Sequence, residues 1–155
     1  MRLFFALFFL AMFTMHCKKQ KQVTTEVGST KLVESPTTAI PGITVMSDGG
    51  INLTSDAFKL EEAIVSGDTL IVTVSFGGGC KEHEFEVYAN GMWMKSLPPK
   101  MALRLVHRAH EDNCRSYITQ TRKFLLHKAR YSGQNKVVIL LDSGGEVRSL
   151  DYKYP

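Results

Sequence analysis

The chain has 155 residues, of which 44% are hydrophobic and 22% charged, a balance that fits one folded domain and excludes disorder over most of the length. Of the formal net charge of +4, Arg2 contributes +1, and residues 18–38, with four lysines and two glutamates, contribute +2. The part after Ala39 is therefore nearly neutral. It offers no sign of a basic face, which argues against nucleic-acid binding.

A short apolar run, Leu3 to Met15, follows Arg2 at the start of the chain. Crossing the hydrocarbon core of a bilayer takes about 20 apolar residues in a helix, so this run is too short to span a membrane. A positive charge before a short apolar run is typical of a secretory signal peptide. Residues 1–16 are therefore predicted to be a signal peptide of the lipoprotein type.

Cys17 directly follows this run and resembles the lipobox cysteine of bacterial lipoproteins, which is acylated and becomes the first mature residue. Thr14 and His16 depart from that pattern, which has Leu three residues before the cysteine and a small residue just before it. The resemblance implies a palmitate-type anchor at Cys17, and several acyl chains hold a protein stably on a membrane. Secretion with a free Cys17 is the alternative. Lys18 replaces the Asp that retains lipoproteins in the inner membrane, which favours the outer membrane.

Residues 17–38 are polar and lack a sustained period, so they are predicted to be the lipidated N-terminus and a flexible tether. Residues 39–155 are predicted to form the folded domain, with its core beginning near Ile43. Pro36 and Pro41 indicate irregular backbone where the tether meets the domain.

Period-two alternation dominates the remaining sequence and indicates short strands. Further strand-like runs cover 117–127 and 147–154, and turn signals stand at 66–68, at Asn90-Gly91 and at 142–145. About seven strands at roughly ten-residue spacing predict an all-β fold, a single antiparallel β-sandwich with immunoglobulin-like architecture. Residues 57–65 are also compatible with a short helix. The alternating apolar residues are Phe58, Leu60, Ile64, Leu70, Val72, Val74, Phe76, Phe85, Val87, Ala89, Met101, Leu103, Leu105, Val137, Ile139 and Leu141.

The least ordinary stretch follows the second predicted strand, where three glycines precede a cysteine and a histidine. It resembles a group of bacterial envelope lipoproteins of unknown function, which share Gly-Gly-Cys-x-x-His-x-Phe, then a His at a strand end, then Asp-x-Cys. The resemblance implies an envelope location and no known activity. The matching residues are Gly78, Gly79, Cys80, His83, Phe85, His107, Asp112 and Cys114.

Two cysteines in one small exported domain usually form a disulfide, so Cys80 and Cys114 are predicted to be bonded. His83, His107 and Asp112 are then a candidate polar site beside the disulfide. With Cys17 acylated, no thiol would remain free.

Two other chemistries stay open at the same residues. Two thiolates and two imidazoles suit a tetrahedral Zn²⁺ site, for which the candidate ligands are Cys80, His83, His107, His110 and Cys114. A Cys/His nucleophile oriented by Asp112 is the third interpretation, although the spacing matches no protease signature.

The sequence thus predicts a membrane-anchored envelope lipoprotein that acts as a non-catalytic binding or structural module. Its partner, a protein or a small molecule, is not identified, and no catalytic residue or cofactor is assigned. The alternative is a zinc-dependent binding protein or enzyme. Met92-Trp93-Met94 is interpreted as core filling at a sandwich edge, with an exposed contact patch as the alternative.

Overall fold

The computed structural model describes residues 39–47 and 53–155. The predicted signal peptide, Cys17 and the predicted tether lie outside the described residues. Residues Thr38–Pro155 form one compact unit. Within the described ranges, no helix is long and apolar enough to cross a membrane.

The described residues form eight strands and one short 3-10 helix, which confirms the predicted all-β fold. Residues 57–65 contribute to a strand and not to a helix. The strands are β1 (Thr44–Val45), β2 (Lys59–Ser66), β3 (Thr69–Gly78), β4 (Glu84–Met94), β5 (Lys100–Arg108), β6 (Ser116–Leu125), β7 (Lys136–Asp142) and β8 (Val147–Lys153), and the 3-10 helix covers His127–Ala129 between β6 and β7.

The strands form two sheets that face each other across the core. One sheet has the order β1-β4-β5-β7-β8, and the other has the order β2-β3-β6. The sandwich is mixed and not purely antiparallel, because β1 runs parallel to β4 and β5 runs parallel to β7. The second pair is parallel because the chain crosses to the other sheet through β6 before it returns as β7.

The alternation seen in the sequence places one face of each strand in the core. Leu70, Val72 and Val74 of β3 are fully buried, as are Leu103 and Leu105 of β5. The predicted core residues Phe76, Phe85, Val87, Ala89, Met101, Val137, Ile139 and Leu141 are buried as well.

Ile64 is the exception among the predicted core residues, because its side chain is 45% exposed. The pairing of β2 with β3 shifts register between Leu60 and Glu62. Such a bulge moves the following residues to the opposite face of the sheet. Ala63 therefore takes the inward position that the alternation assigned to Ile64.

Asn90-Gly91 does not form the predicted tight turn. Strand β4 continues through it to Met94, and the pairing with β5 shifts register between Ala89 and Trp93. Gly91 has φ of +69°, and the Asn90 side chain accepts a hydrogen bond from the Met92 N–H at 3.2 Å. The same residue types that favour a hairpin turn here produce a bulge within one long strand.

The N-terminal segment of the domain joins the edges of both sheets. Pro41 O accepts the Leu125 N–H at 2.9 Å, and the Ile43 N–H bonds back to Leu125 O at 3.2 Å. The Met46 N–H then bonds to Ala89 O of β4 at 2.9 Å. With Ile43 1% exposed, this segment is an integral part of the folded unit.

Limited proteolysis of the full chain should leave a stable fragment that begins near Pro41, because the hydrogen bonds of this segment protect it from cleavage. Mass spectrometry of the fragment gives its first residue. A first stable cut between Phe58 and Phe76, within the β2–β3 hairpin, would contradict both the domain boundary and the predicted tether.

Candidate functional site

The candidate site lies at the end of the sandwich where the β3–β4 loop meets the β5–β6 loop. Cys80 of the first loop and Cys114 of the second form a disulfide, with Cα atoms 5.9 Å apart and a sequence separation of 34 residues. The predicted disulfide is therefore present. Because it joins two loops, it holds them together without interrupting a strand ladder.

Asp112 is the centre of the site, and its side chain is only 1% exposed. Its Oδ2 accepts the backbone N–H groups of Gly79, Cys80 and Lys81 at 2.8, 2.8 and 2.9 Å. Successive N–H groups pointing at one oxygen form an anion-binding nest. Its Oδ1 accepts the Cys114 N–H at 2.9 Å, so one carboxylate binds the backbone of both bridged cysteines.

These hydrogen bonds favour the charged form of Asp112. The N–H groups of Cys114 and Lys81, which contribute most, hold the pKa of Asp112 well below its usual value of 3.8, although desolvation opposes them.

The glycines before Cys80 leave room for this arrangement. Gly78 has φ of +143°, and a Cβ atom there would lie 2.5 Å from His83 Nε2 and 3.0 Å from Asp112 Oδ2. Gly79 has φ of +115°, a conformation that other residues rarely adopt. The two glycines of the Gly-Gly-Cys motif are therefore needed, because a side chain at Gly78 would clash with, or displace, the buried His83–Asp112 pair and Gly79 needs its positive φ.

His83 and His107 continue from Asp112 as a chain of hydrogen bonds into the core. His83 Nε2 lies 3.2 Å from Asp112 Oδ2, and His83 Nδ1 lies 2.8 Å from His107 Nε2. His107 Nδ1 lies 3.1 Å from the carbonyl oxygen of Ala57. Both imidazoles are buried, with His83 5% and His107 1% exposed.

The acceptors at the two ends of this hydrogen-bonded series, the Asp112 carboxylate and the Ala57 carbonyl oxygen, determine which ring nitrogens carry protons. A carboxylate and a carbonyl oxygen only accept, so His83 Nε2 and His107 Nδ1 both donate. The bond between the two rings needs a third ring proton, one more than two neutral imidazoles carry. All three hydrogen bonds form together only when the two rings hold this extra proton.

His107 lies among aromatic side chains in the core. Burial is the main cause that lowers the pKa of His107 below its usual value of 6.5. The Phe85 ring stacks on His107 with centroids 4.5 Å apart, and Phe58 meets it edge-on at 5.8 Å. His83 contacts the Asp112 carboxylate and stacks on Phe76 with ring centroids 4.4 Å apart.

A strained turn presents Asp112 to this network. His110 and Glu111 have φ of +51° and +57°, which is uncommon for residues other than glycine. The Asp112 N–H closes the turn on Ala109 O at 3.0 Å. Lys81 Nζ stabilises it by donating to the carbonyl oxygens of His110 at 2.6 Å and Glu111 at 3.2 Å.

The predicted zinc ligands do not converge as a set in this structure. The sulfur atoms of Cys80 and Cys114 are bonded to each other, whereas zinc binds thiolates. His110 stands apart from the buried histidines, with a half-exposed side chain 3.7 Å from Glu84. It borders an open cavity of about 560 Å³ that also touches Asp56, His107 and Glu111.

The polar site predicted from the sequence, His83, His107 and Asp112, is thus brought together, and Cys17 lies outside the described residues. Sequence reasoning missed the contribution of Lys81, which carries no motif signal.

Sequence reasoning also missed a second polar cluster at the opposite end of the sandwich. Asp68 Oδ1 accepts the Tyr152 hydroxyl at 2.5 Å, and Asp68 Oδ2 accepts Arg130 Nη2 at 2.6 Å. Arg130 and then Tyr152 lower the pKa of Asp68 to about 2. No local pattern marks these residues, because 62 and 84 residues separate Asp68 from its two partners.

No protein-family model matches this chain, and no curated protein matches its sequence. Solved structures do share its fold. A DUF1344 protein of unknown function from Bacteroides vulgatus aligns over 75% of this chain and 58% of its own, with 15% identity and a TM-score of 0.51. A NigD-like immunity protein from Bacteroides caccae aligns over 74% and 64%, with 15% identity and a TM-score of 0.52.

A candidate lipoprotein from Bacteroides fragilis has the same fold, with 13% identity and a TM-score of 0.50 over 74% of this chain and 72% of its own. The chain spans less than two thirds of the first two solved chains. At these identities the likeness establishes the fold alone.

Proposed function

We propose that this chain is a membrane-anchored envelope lipoprotein, acylated at Cys17, whose sandwich is a non-catalytic binding or structural module. The observation that carries the non-catalytic part is that the two cysteines, Asp112 and the buried histidines already bond to one another or to the backbone. Cys80 and Cys114 are bonded to each other. Asp112 accepts four backbone N–H groups, and the buried His83 is bonded to both Asp112 and His107.

A nucleophilic mechanism needs a free thiolate beside a base, and the disulfide removes both thiols. The buried His83 ring, bonded to Asp112 through one nitrogen and to His107 through the other, has no free nitrogen for a substrate. The arrangement therefore supports a polar clamp that fixes loop positions, and binding would use the loop surfaces around it.

The envelope location has separate support. The apolar run before Cys17 favours export, and a disulfide fits an oxidising compartment outside the cytoplasm. The solved proteins of the same fold include a candidate lipoprotein and a NigD-like immunity protein. We place the anchor in the outer membrane, on the strength of Lys18, and leave the partner as an unidentified protein or small molecule.

Replacement of Cys17 by alanine should abolish labelling with a radioactive or clickable palmitate and leave an unprocessed precursor, because the thiol is the acceptor for the lipid. The measurement is labelling and mobility in gels from the native host. Lys19→Ala, which leaves the cysteine in place, is the matched control and should be labelled normally. Normal processing and labelling of Cys17→Ala would show that the lipoprotein assignment is wrong.

A further inference from the structure

The end of the sandwich opposite the disulfide carries a cluster of apolar side chains that the candidate site does not use. Four exposed residues there surround or adjoin Trp93, and we call these five residues the apolar tip. Leu97, in the loop between β4 and β5, is 89% exposed. The residues of the apolar tip are Met92, Trp93, Met94, Leu97 and Tyr131.

The apolar tip has a defined shape. Trp93 and Tyr131 meet edge to face with ring centroids 5.0 Å apart, and with Met94 and Leu97 they line a groove of about 330 Å³. Trp93 also packs against the core. The interpretation of 92–94 as core filling therefore holds only for Trp93, and Met92 and Met94 are 57% and 45% exposed.

The charged side chains near the apolar tip that have no ion-pair partner within the described part of the chain are basic. Residues 91–100 and 126–136, which lie at this end, contain no Asp or Glu. Arg130 and Lys136 in these segments pair with acidic residues of other segments. Among the residues that the structure describes, Lys95, Lys100 and Lys128 make no ion pair. The apolar tip thus has a cationic rim.

We propose that the apolar tip inserts into the surface of an anionic phospholipid bilayer. Leucine and methionine would enter the acyl region, Trp93 and Tyr131 would lie at the interface, and the lysines would contact lipid phosphates. A protein interface usually surrounds its apolar anchors with a broad closely packed surface. Leu97 instead protrudes from its loop, and the cationic rim complements an anionic lipid surface. This contact is additional to the Cys17 anchor and does not require it.

Trp93 is the single tryptophan of the chain, so intrinsic fluorescence reports on the apolar tip directly. The test uses Thr38–Pro155, a compact unit that contains the whole described core and lacks both Cys17 and the lysines of 18–31. Vesicles of phosphatidylcholine with about 30% phosphatidylglycerol mimic an anionic leaflet. We expect a blue shift of Trp93 emission, quenching by brominated acyl chains, and weaker binding to pure phosphatidylcholine or in high salt.

Leu97→Glu should lower partitioning into the anionic vesicles about tenfold or more, because it removes a large inserted side chain and adds a like charge to that of the lipid.

Lys95→Glu should weaken binding to anionic vesicles and leave the weak binding to phosphatidylcholine unchanged. Val147→Glu is the matched control, since Val147 is a 63% exposed apolar residue in β8 outside the apolar tip. It should bind like the parent. All three positions are at the surface, and unchanged thermal unfolding verifies their folding.

No change in Trp93 emission with anionic vesicles would overturn the proposal, as would equal binding by Leu97→Glu and the parent. A concentration-dependent dimer that Leu97→Glu abolishes would overturn it too and assign the apolar tip to a second copy of the chain. Because Thr38–Pro155 carries no lipid anchor, these outcomes are independent of the Cys17 labelling result.

Discussion

Replacement of Asp112 by alanine should lower the melting temperature of the domain by roughly 10–20 °C. The variant leaves four backbone N–H groups without their acceptor and the buried His83 without its Asp112 partner. Buried polar groups that lose their hydrogen-bond partner are strongly destabilising. Asp112→Asn should be milder, because an amide oxygen still accepts hydrogen bonds although it has no charge.

Circular dichroism melts of the two variants, with Asp151→Ala as the control, measure this effect. Asp151 pairs with Lys136 at the surface, with a 61% exposed side chain, and such pairs contribute little. If Asp112→Ala melted within a few degrees of Asp151→Ala, Asp112 would not be the centre of the site.

Because the pKa of Asp112 is lowered, we expect the domain to lose stability in acid. The pKa of Asp112 lies below its usual 3.8 and that of His107 below its usual 6.5. Each group therefore binds fewer protons in the folded than in the unfolded protein, and the free energy of unfolding falls as the pH drops below those usual values. In Asp112→Asn, the contribution of Asp112 is absent. The difference in stability between the parent and this variant should shrink below about pH 4.

Replacement of both Cys80 and Cys114 by alanine should lower the free energy of unfolding by about 3–4 kcal/mol on the chain-entropy estimate, because the disulfide closes a loop across 34 residues. Urea unfolding of Thr38–Pro155 measures it. Combined with Asp112→Ala, the loss should be smaller than the sum of the two, because the Asp112 carboxylate binds the N–H groups of both cysteines and neighbouring sites couple.

The disulfide and the zinc hypothesis make opposite forecasts for the parent protein. With the disulfide, Thr38–Pro155 has no free thiol, and a chelator leaves its melting temperature unchanged. About one equivalent of tightly bound zinc together with two free thiols would show that zinc holds this site.

The sequence predicted the strands well, because alternation reports directly which face of a strand is buried. It could not locate the irregularities after Leu60 and Ala89, where β2 has one and β4 two residues more than the partner strand, because residue types do not mark where the pairing shifts. Ile64 was assigned to the core for this reason, and Asn90-Gly91 to a turn.

At the candidate site, too, the sequence shows which residue types are present but not which distant residues they contact. The residue types His83, His107 and Asp112 stood out from the sequence, but the contacts among them did not. Asp112 meets the N–H groups of the glycine loop across 31 to 33 residues, and backbone donors leave no mark in a sequence. Hydrophobicity likewise could not distinguish Trp93, which packs on the core, from Met92 and Leu97, which face outward.

The segment from Pro41 to Met46 determines how the domain would respond to mechanical load. A protein held by a lipid at its N-terminus is pulled through this segment. Its hydrogen bonds to Leu125 and Ala89 fasten it to both sheets, and β1 runs parallel to β4. A pull along the strand axis therefore loads these bonds together in shear, and does not peel them apart one at a time. The point where force enters the domain is thus also where the two sheets are fastened to each other.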